Sequence, residues 1–125
     1  MKNSLSQVNR KVDYINTHGT STKIGDTREL EAIKKLFGEE IPQLSSTKSL
    51  TGHSLGATGV QEAIYCLIML NHNFIAGSAN IFNLDEDAKN MNIVQSTAKN
   101  ISIDTVMSNS FGFGGTNSTL VFSKI

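Results

Sequence analysis

The chain has 125 residues, of which 38% are hydrophobic, and its 11 basic and 11 acidic side chains cancel to no formal net charge. That length suits one domain or part of one, able to bury roughly two-thirds of its unfolded surface. The charge balance removes the main electrostatic argument for a nucleic acid or an anionic membrane as partner, leaving only a small local basic patch for an acidic protein. Met1 to Asn9 is polar and does not read as a secretory signal. The longest apolar run, Ala63 to Leu70, is too short to insert across a bilayer. A single cysteine, Cys66, excludes an internal disulfide and fits a reducing cytoplasm.

In chain order, Met1 to Lys11 carries Leu5 and Val8 at helical spacing and reads as the tail of a helix whose start lies outside the chain. Val12 to Asn16 alternates as a short strand running into His18. Gly25-Asp26 then opens a helix: Asp26 can cap it, Glu29 follows three residues on, and Leu30, Ile33 and Phe37 form a helical stripe ending at Gly38. Leu44 to Thr47 reads as a second strand. Leu55 to Leu70 is helical and apolar on nearly every face, which predicts a helix buried between two layers, with Gly56 and Gly59 permitting close approach near its start. Asn71-His72-Asn73 ends it. Ser78 to Asn100 is a polar loop with a brief strand at Asn92 to Val94, and strands at Thr105 to Ser108 and Thr119 to Phe122 flank a glycine-rich turn. No repeat or linker interrupts this order.

Three proton-handling side chains stand out. His18 follows a strand in the run His18-Gly19-Thr20-Ser21-Thr22 with little apolar packing around it, and an imidazole titrates near neutral pH. His53 follows Gly52 and precedes the apolar helix, whose positive N-terminal end disfavours imidazolium and leaves a neutral ring able to donate one hydrogen bond. Lys48, five residues earlier, adds positive potential to the same place. His72 reads as a surface residue. A zinc site is the rival use, but the separation of His18 and His53 matches no common ligand pattern and no nearby cysteine or carboxylate completes one, so no metal is expected. The Phe111 to Asn117 turn lacks phosphate-loop spacing. It reads either as backbone N–H groups facing a ligand oxygen, an oxyanion hole walled by Phe111 and Phe113, or as a hairpin with two core phenylalanines. Cys66, among apolar neighbours inside a helix, reads as packing.

Taken together, His18 to Thr22 with Gly25-Asp26, Lys48 to Gly56 continuing through Gly59 to Tyr65, and Asn109 to Asn117 resemble the C-terminal half of a β-ketoacyl-acyl carrier protein synthase of type I. The resemblance runs from Met1 to Ile125, making 1–125 a partial C-terminal ketoacyl synthase domain. It implies a thiolase-like α/β/α/β/α layered fold, here incomplete at its N-terminus. It also implies an acyltransferase of fatty-acid elongation that performs a decarboxylative Claisen condensation of malonyl-acyl carrier protein with an acyl thioester. Polyketide ketosynthases usually carry glycine where this chain has Ser21, so that branch fits less well.

Residue by residue, the resemblance makes His18 and His53 the donors to the malonyl thioester oxygen and Lys48 the active-site lysine. Glu29 becomes the acidic residue near that lysine, and Thr20 and Thr22 the holders of the phosphopantetheine arm. The Phe113 N–H becomes an oxyanion donor, and Phe111 and Phe113 gate residues. No cofactor is implied beyond the phosphopantetheine of acyl carrier protein. The implied partners are acyl carrier protein, the N-terminal half of the synthase and a second copy in a homodimer. The family's nucleophilic cysteine belongs to that N-terminal half and Cys66 does not match it, so the chain alone is expected to be inactive. The alternatives are a non-catalytic remnant, or a module that binds acyl carrier protein without chemistry.

Overall fold

The computed structural model describes residues 1–125. A four-stranded mixed sheet orders the chain as β2-β1-β5-β6, with β1 Tyr14–Asn16, β2 Gln43–Ser45, β5 Thr105–Phe111 and β6 Asn117–Ser123. β1 pairs parallel with both β2 and β5, and β5 and β6 form an antiparallel hairpin. Helix α2, Lys23–Phe37, makes the crossover from β1 to β2. Helix α4, Thr58–His72, covers the other face of the sheet. The one-turn helices α1, Lys2–Leu5, and α3, Lys48–Thr51, and a two-residue ladder of β3, Phe74–Ile75, with β4, Ala98–Lys99, complete the architecture.

Two-residue alternation divides the core. Tyr14 and Val106 point to the α4 side, packing with Cys66, Met69, Leu70, Ile75 and Ile103. Ile15 and Met107 point to the α2 side, packing with Val12, Ile33, Leu44 and Met91. All three residues of β1 are buried, as expected of a parallel strand covered on both faces.

Several expectations shift. The first strand is shorter than Val12 to Asn16 and starts at Tyr14; just before it, the Asp13 carboxylate accepts the N–H groups of Asp104 and Thr105 at 2.8 and 3.0 Å. Helix α2 begins at Lys23 with Thr22 as its N-cap residue, three residues before Asp26, and the expected Asp26–Glu29 capping box does not form. Glu29 is drawn elsewhere, as described below. The second strand stops at Ser45, and Thr47 begins the single turn that carries Lys48. Asn92 to Val94 forms one parallel bridge, between Ile93 and Leu44, rather than a strand. The β3–β4 ladder lies in stretches where the sequence predicts no strand. The hairpin strands are longer than expected, seven residues each. Gly38 does end α2, with φ +61°, and Asn73 ends α4 in the left-handed conformation.

The largest correction concerns α4. Its Thr58, Glu62, Cys66, Met69 and Leu70 face is buried against the sheet. Val60, Ile64, Leu67 and Ile68 form an apolar stripe on the other side that stays between 44% and 66% exposed. Apolarity all round was legible in the sequence, but only one face finds a covering layer. On this packing, Met107→Ala is expected to cost about 2–5 kcal/mol in denaturant unfolding, whereas Val60→Ser is expected to stay within about 0.5 kcal/mol. Equal costs would contradict the one-sided burial.

Candidate active site

The carboxyl ends of the parallel strands converge, which is where open α/β sheets place ligands. β1 delivers Asn16, whose buried amide bonds Thr47 both ways: Asn16 Nδ2 donates to Thr47 Oγ1 at 3.0 Å, and the Thr47 N–H donates to Asn16 Oδ1 at 3.2 Å. The start of α3 is thereby tied to the end of β1. Beyond Thr17 the chain turns at His18-Gly19. Gly19 is needed here, because a Cβ would sit 2.8 Å from the Ser46 Cβ and the Thr17 hydroxyl. Glu29 reaches from α2 to hold this turn. Its carboxylate accepts the His18 and Gly19 N–H groups, each at 3.0 Å, and the Asn109 side-chain amide at 3.1 Å. Burial raises the Glu29 pKa, while these donors and the nearby Lys48 charge oppose the rise.

Lys48 lies on α3 and forms a buried ion pair with Glu62 of α4, the side chains 6% and 2% exposed. Glu62 Oε1 takes the ammonium, and Oε2 is buried without a partner. Burial pushes the Glu62 carboxyl above its ordinary range and Lys48 pulls it back. The acid bonded to Lys48 is therefore Glu62, whereas Glu29 acts at close range on the histidine turn. The sequence pattern alone does not single out Glu62. Its signal was a lone acid inside an otherwise apolar helical run.

His53 sits at the rim, after Gly52 at φ +73°, a conformation that favours glycine. Its Nδ1 accepts the Leu55 N–H at 3.0 Å, so the ring proton of the neutral form lies on Nε2. The His18 and His53 rings meet edge to face, centroids 5.5 Å apart and planes at 89°. Burial, then the positive charge of Lys48, then His53 lower the His18 pKa from 6.5 to about 4, so its ring is neutral at pH 7. His18 Nδ1 is buried without a partner, which leaves Nε2 as the nitrogen meeting the open side.

The phenylalanines divide. The Phe111 ring stands 5.9 Å from His18. Phe113 does not wall the pocket as expected: the turn through Gly114 and Gly115, both at positive φ, projects its ring fully into solvent. The Thr20 and Thr22 hydroxyls bond each other at 3.1 Å on the segment between His18 and α2. Thr22, Asp26 and Glu29 also line a cavity of about 530 Å³ between α2 and residues 78–88, which contains neither histidine. His72 is exposed at the end of α4. No group of three His, Cys, Asp or Glu side chains is placed to hold a metal ion. Cys66 is fully buried, and burial pushes its thiol up to about 12. A thiol held protonated in this way is a poor nucleophile.

Residues 1–82 match the model of the β-ketoacyl synthase, C-terminal domain. The chain belongs to the β-ketoacyl synthase family. It is 60% identical over 124 residues to 3-oxoacyl-[acyl-carrier-protein] synthase 1 of Haemophilus influenzae, covering 99% of this chain and 30% of that protein. Against the enzyme of the same name from Escherichia coli strain K12 it is 58% identical over 125 residues, again 30% of the relative. Among solved structures, a β-ketoacyl synthase from Burkholderia phymatum STM815 matches with TM-score 0.84 at 38% identity, over 91% of this chain and 28% of that one. A type II PKS acyl-carrier protein in complex with its ketosynthase matches with TM-score 0.85 at 29% identity, over 91% and 28%. The chain therefore spans about 30% of the length of the curated relatives it matches. The expected thiolase-like α/β fold is that of these ketosynthases.

For this β-ketoacyl synthase domain the arrangement offers two imidazoles converging at the rim above a buried ammonium, with His18 held neutral at pH 7. That combination suits negative charge developing on an oxygen between the rings. The ion pair beneath it is testable by a double-mutant cycle in denaturant. Glu62→Leu alone strands the Lys48 charge and is expected to cost about 3–5 kcal/mol. Adding Lys48→Met is expected to restore most of that loss, and additive costs would show that the two groups are not coupled.

Proposed function

We propose that this chain supplies the decarboxylation and enolate-stabilising part of a condensing site, working in fatty-acid elongation as part of a 3-oxoacyl-[acyl-carrier-protein] synthase. The observation that carries the reading is the His18–His53 pair at 5.5 Å with His18 held neutral at pH 7. In the reaction, the C–C bond to the carboxylate of malonyl-acyl carrier protein breaks and CO₂ leaves. The electron pair becomes an enolate, with its charge on the thioester oxygen. His18 and His53 donate hydrogen bonds to that oxygen. Because the charge develops chiefly in the transition state, these donors lower the barrier rather than tighten ground-state binding. Lys48 adds positive potential while remaining paired to Glu62. The enolate carbon then attacks an acyl thioester, whose thiolate departs.

The thiol that holds the acyl group comes from outside these residues in this reading, since Cys66 is the sole cysteine and is both buried and protonated. An N-terminal half is the source we propose. The exposed Val60, Ile64, Leu67 and Ile68 stripe of α4 supports a surface made to be covered. Acyl carrier protein is the proposed carrier, with Thr20 and Thr22 proposed to hold its phosphopantetheine arm, and we propose no separate cofactor. A homodimer and a cytoplasmic setting belong to the same reading; a free, unbridged cysteine supports the latter.

Mixing the chain with an N-terminal half is expected to give a complex that releases CO₂ from malonyl-acyl carrier protein. His18→Ala or His53→Ala is expected to slow that release about 10²–10³-fold, the loss typical of one such donor. Failure to associate, together with no CO₂ release, would overturn the proposal.

A further inference from the structure

We infer that Thr58 is a positioning residue for His53, its hydroxyl fixing the imidazole so that Nε2–H is presented to the open site. Thr58 is 4% exposed and opens α4. A threonine at a helix start usually serves as the N-cap, accepting a helix N–H. Here the N-cap position is Ala57, with no side-chain bond, and Thr58 lies one residue inside. The only hydrogen-bond partner of the Thr58 hydroxyl is His53 Nδ1, at 3.1 Å. Nδ1 already accepts the Leu55 N–H and so carries no proton in the neutral ring, which leaves the hydroxyl as donor.

The backbone is bent to make this arrangement. Leu55 has φ +51° and is 80% exposed, so its left-handed conformation is not explained by packing of its side chain. A non-glycine residue held there costs about 1–3 kcal/mol, and such conformations cluster at functional sites. The bend aims the Leu55 N–H at Nδ1, and the following turn of 3₁₀ helix, Leu55–Ala57, brings Thr58 to the same nitrogen. Gly59 lets the first turn of α4 press against Ser110 of β5, where a Cβ would stand 3.3 Å from the hydroxyl oxygen. Thr58 is therefore anchored to the sheet, while Leu55 sits on an exposed loop. The first donor selects the tautomer and the second holds the plane of the ring.

The functional value of this lock rests on the enolate-stabilising reading above, but its test needs no catalysis. In the ¹⁵N-labelled 125-residue chain, the His53 Nδ1 resonance is expected to report an unprotonated nitrogen accepting two hydrogen bonds, with the proton on Nε2. Thr58→Val keeps the shape of the side chain and removes the hydroxyl. It is expected to shift Nδ1 toward the value for weaker acceptance, with the proton still on Nε2 because the Leu55 N–H remains. Thr58→Ser keeps the hydroxyl and is expected to restore the wild-type signature. A Thr58→Val spectrum matching wild type, or a Thr58→Ser spectrum departing as far as Thr58→Val, would overturn the inference and leave packing as the role of Thr58. Either result stands whether or not the chain supports CO₂ release with an N-terminal half.

Discussion

The site depends on one buried carboxylate. Glu29 projects from α2 and gathers the His18 and Gly19 N–H groups after β1 with the Asn109 amide of β5. The turn after β1 and the distant strand β5 thus meet on the two oxygen atoms of one α2 residue, and losing the bond to Asn109 would leave a buried donor unsatisfied. The network continues outward. Asn109 Oδ1 accepts the Thr119 hydroxyl of β6, and that hydroxyl in turn accepts from the N-terminal ammonium of Met1. The position of the first histidine is thus set through the hairpin as well as through its own strand.

A second constraint separates charge from the reacting surface. Lys48 and Glu62 neutralise each other beneath the site, within reach of the histidines but shielded from water. A buried ion pair is weak evidence for stability, because desolvation consumes most of the attraction. Its use here is electrostatic: the ammonium stays fixed close enough to discourage a proton on His18. The histidines stand at the rim, His53 exposed and His18 partly so. The charged pair is rigid and enclosed, while the donating groups face outward.

Much of this was legible in the sequence where local chemistry decides. Glycine and hydroxyl residues around His18 and His53 marked turns at strand ends, and alternation marked β1 and the final hairpin. What could not be read depends on partners distant in the chain. Asp26 and Glu29 have capping-box spacing, yet a tertiary role draws Glu29 away from the helix end. The pattern of α4 reports that its faces are apolar and is silent about which of them the chain covers. The pairing of Glu62 with Lys48, 14 residues apart, follows from how α3 and α4 meet. The exposure of Phe113 depends on the course of its glycine-rich turn, which no sequence pattern gives. The two-residue β3–β4 ladder is too short to leave a periodic signal.

The proposed enolate stabilisation rests on an imidazole held neutral close to a buried ammonium, so the protonation of His18 is the decisive quantity. NMR titration of the His18 ring in the folded chain measures it directly. A midpoint displaced from 6.5 to about 4 is expected, because burial and the Lys48 charge disfavour the imidazolium. A folded state that binds this proton less readily than the unfolded chain loses stability as pH falls through that interval. A His18 midpoint near 6.5 would contradict the account, since the ring would then feel neither the burial nor the ammonium held beneath it.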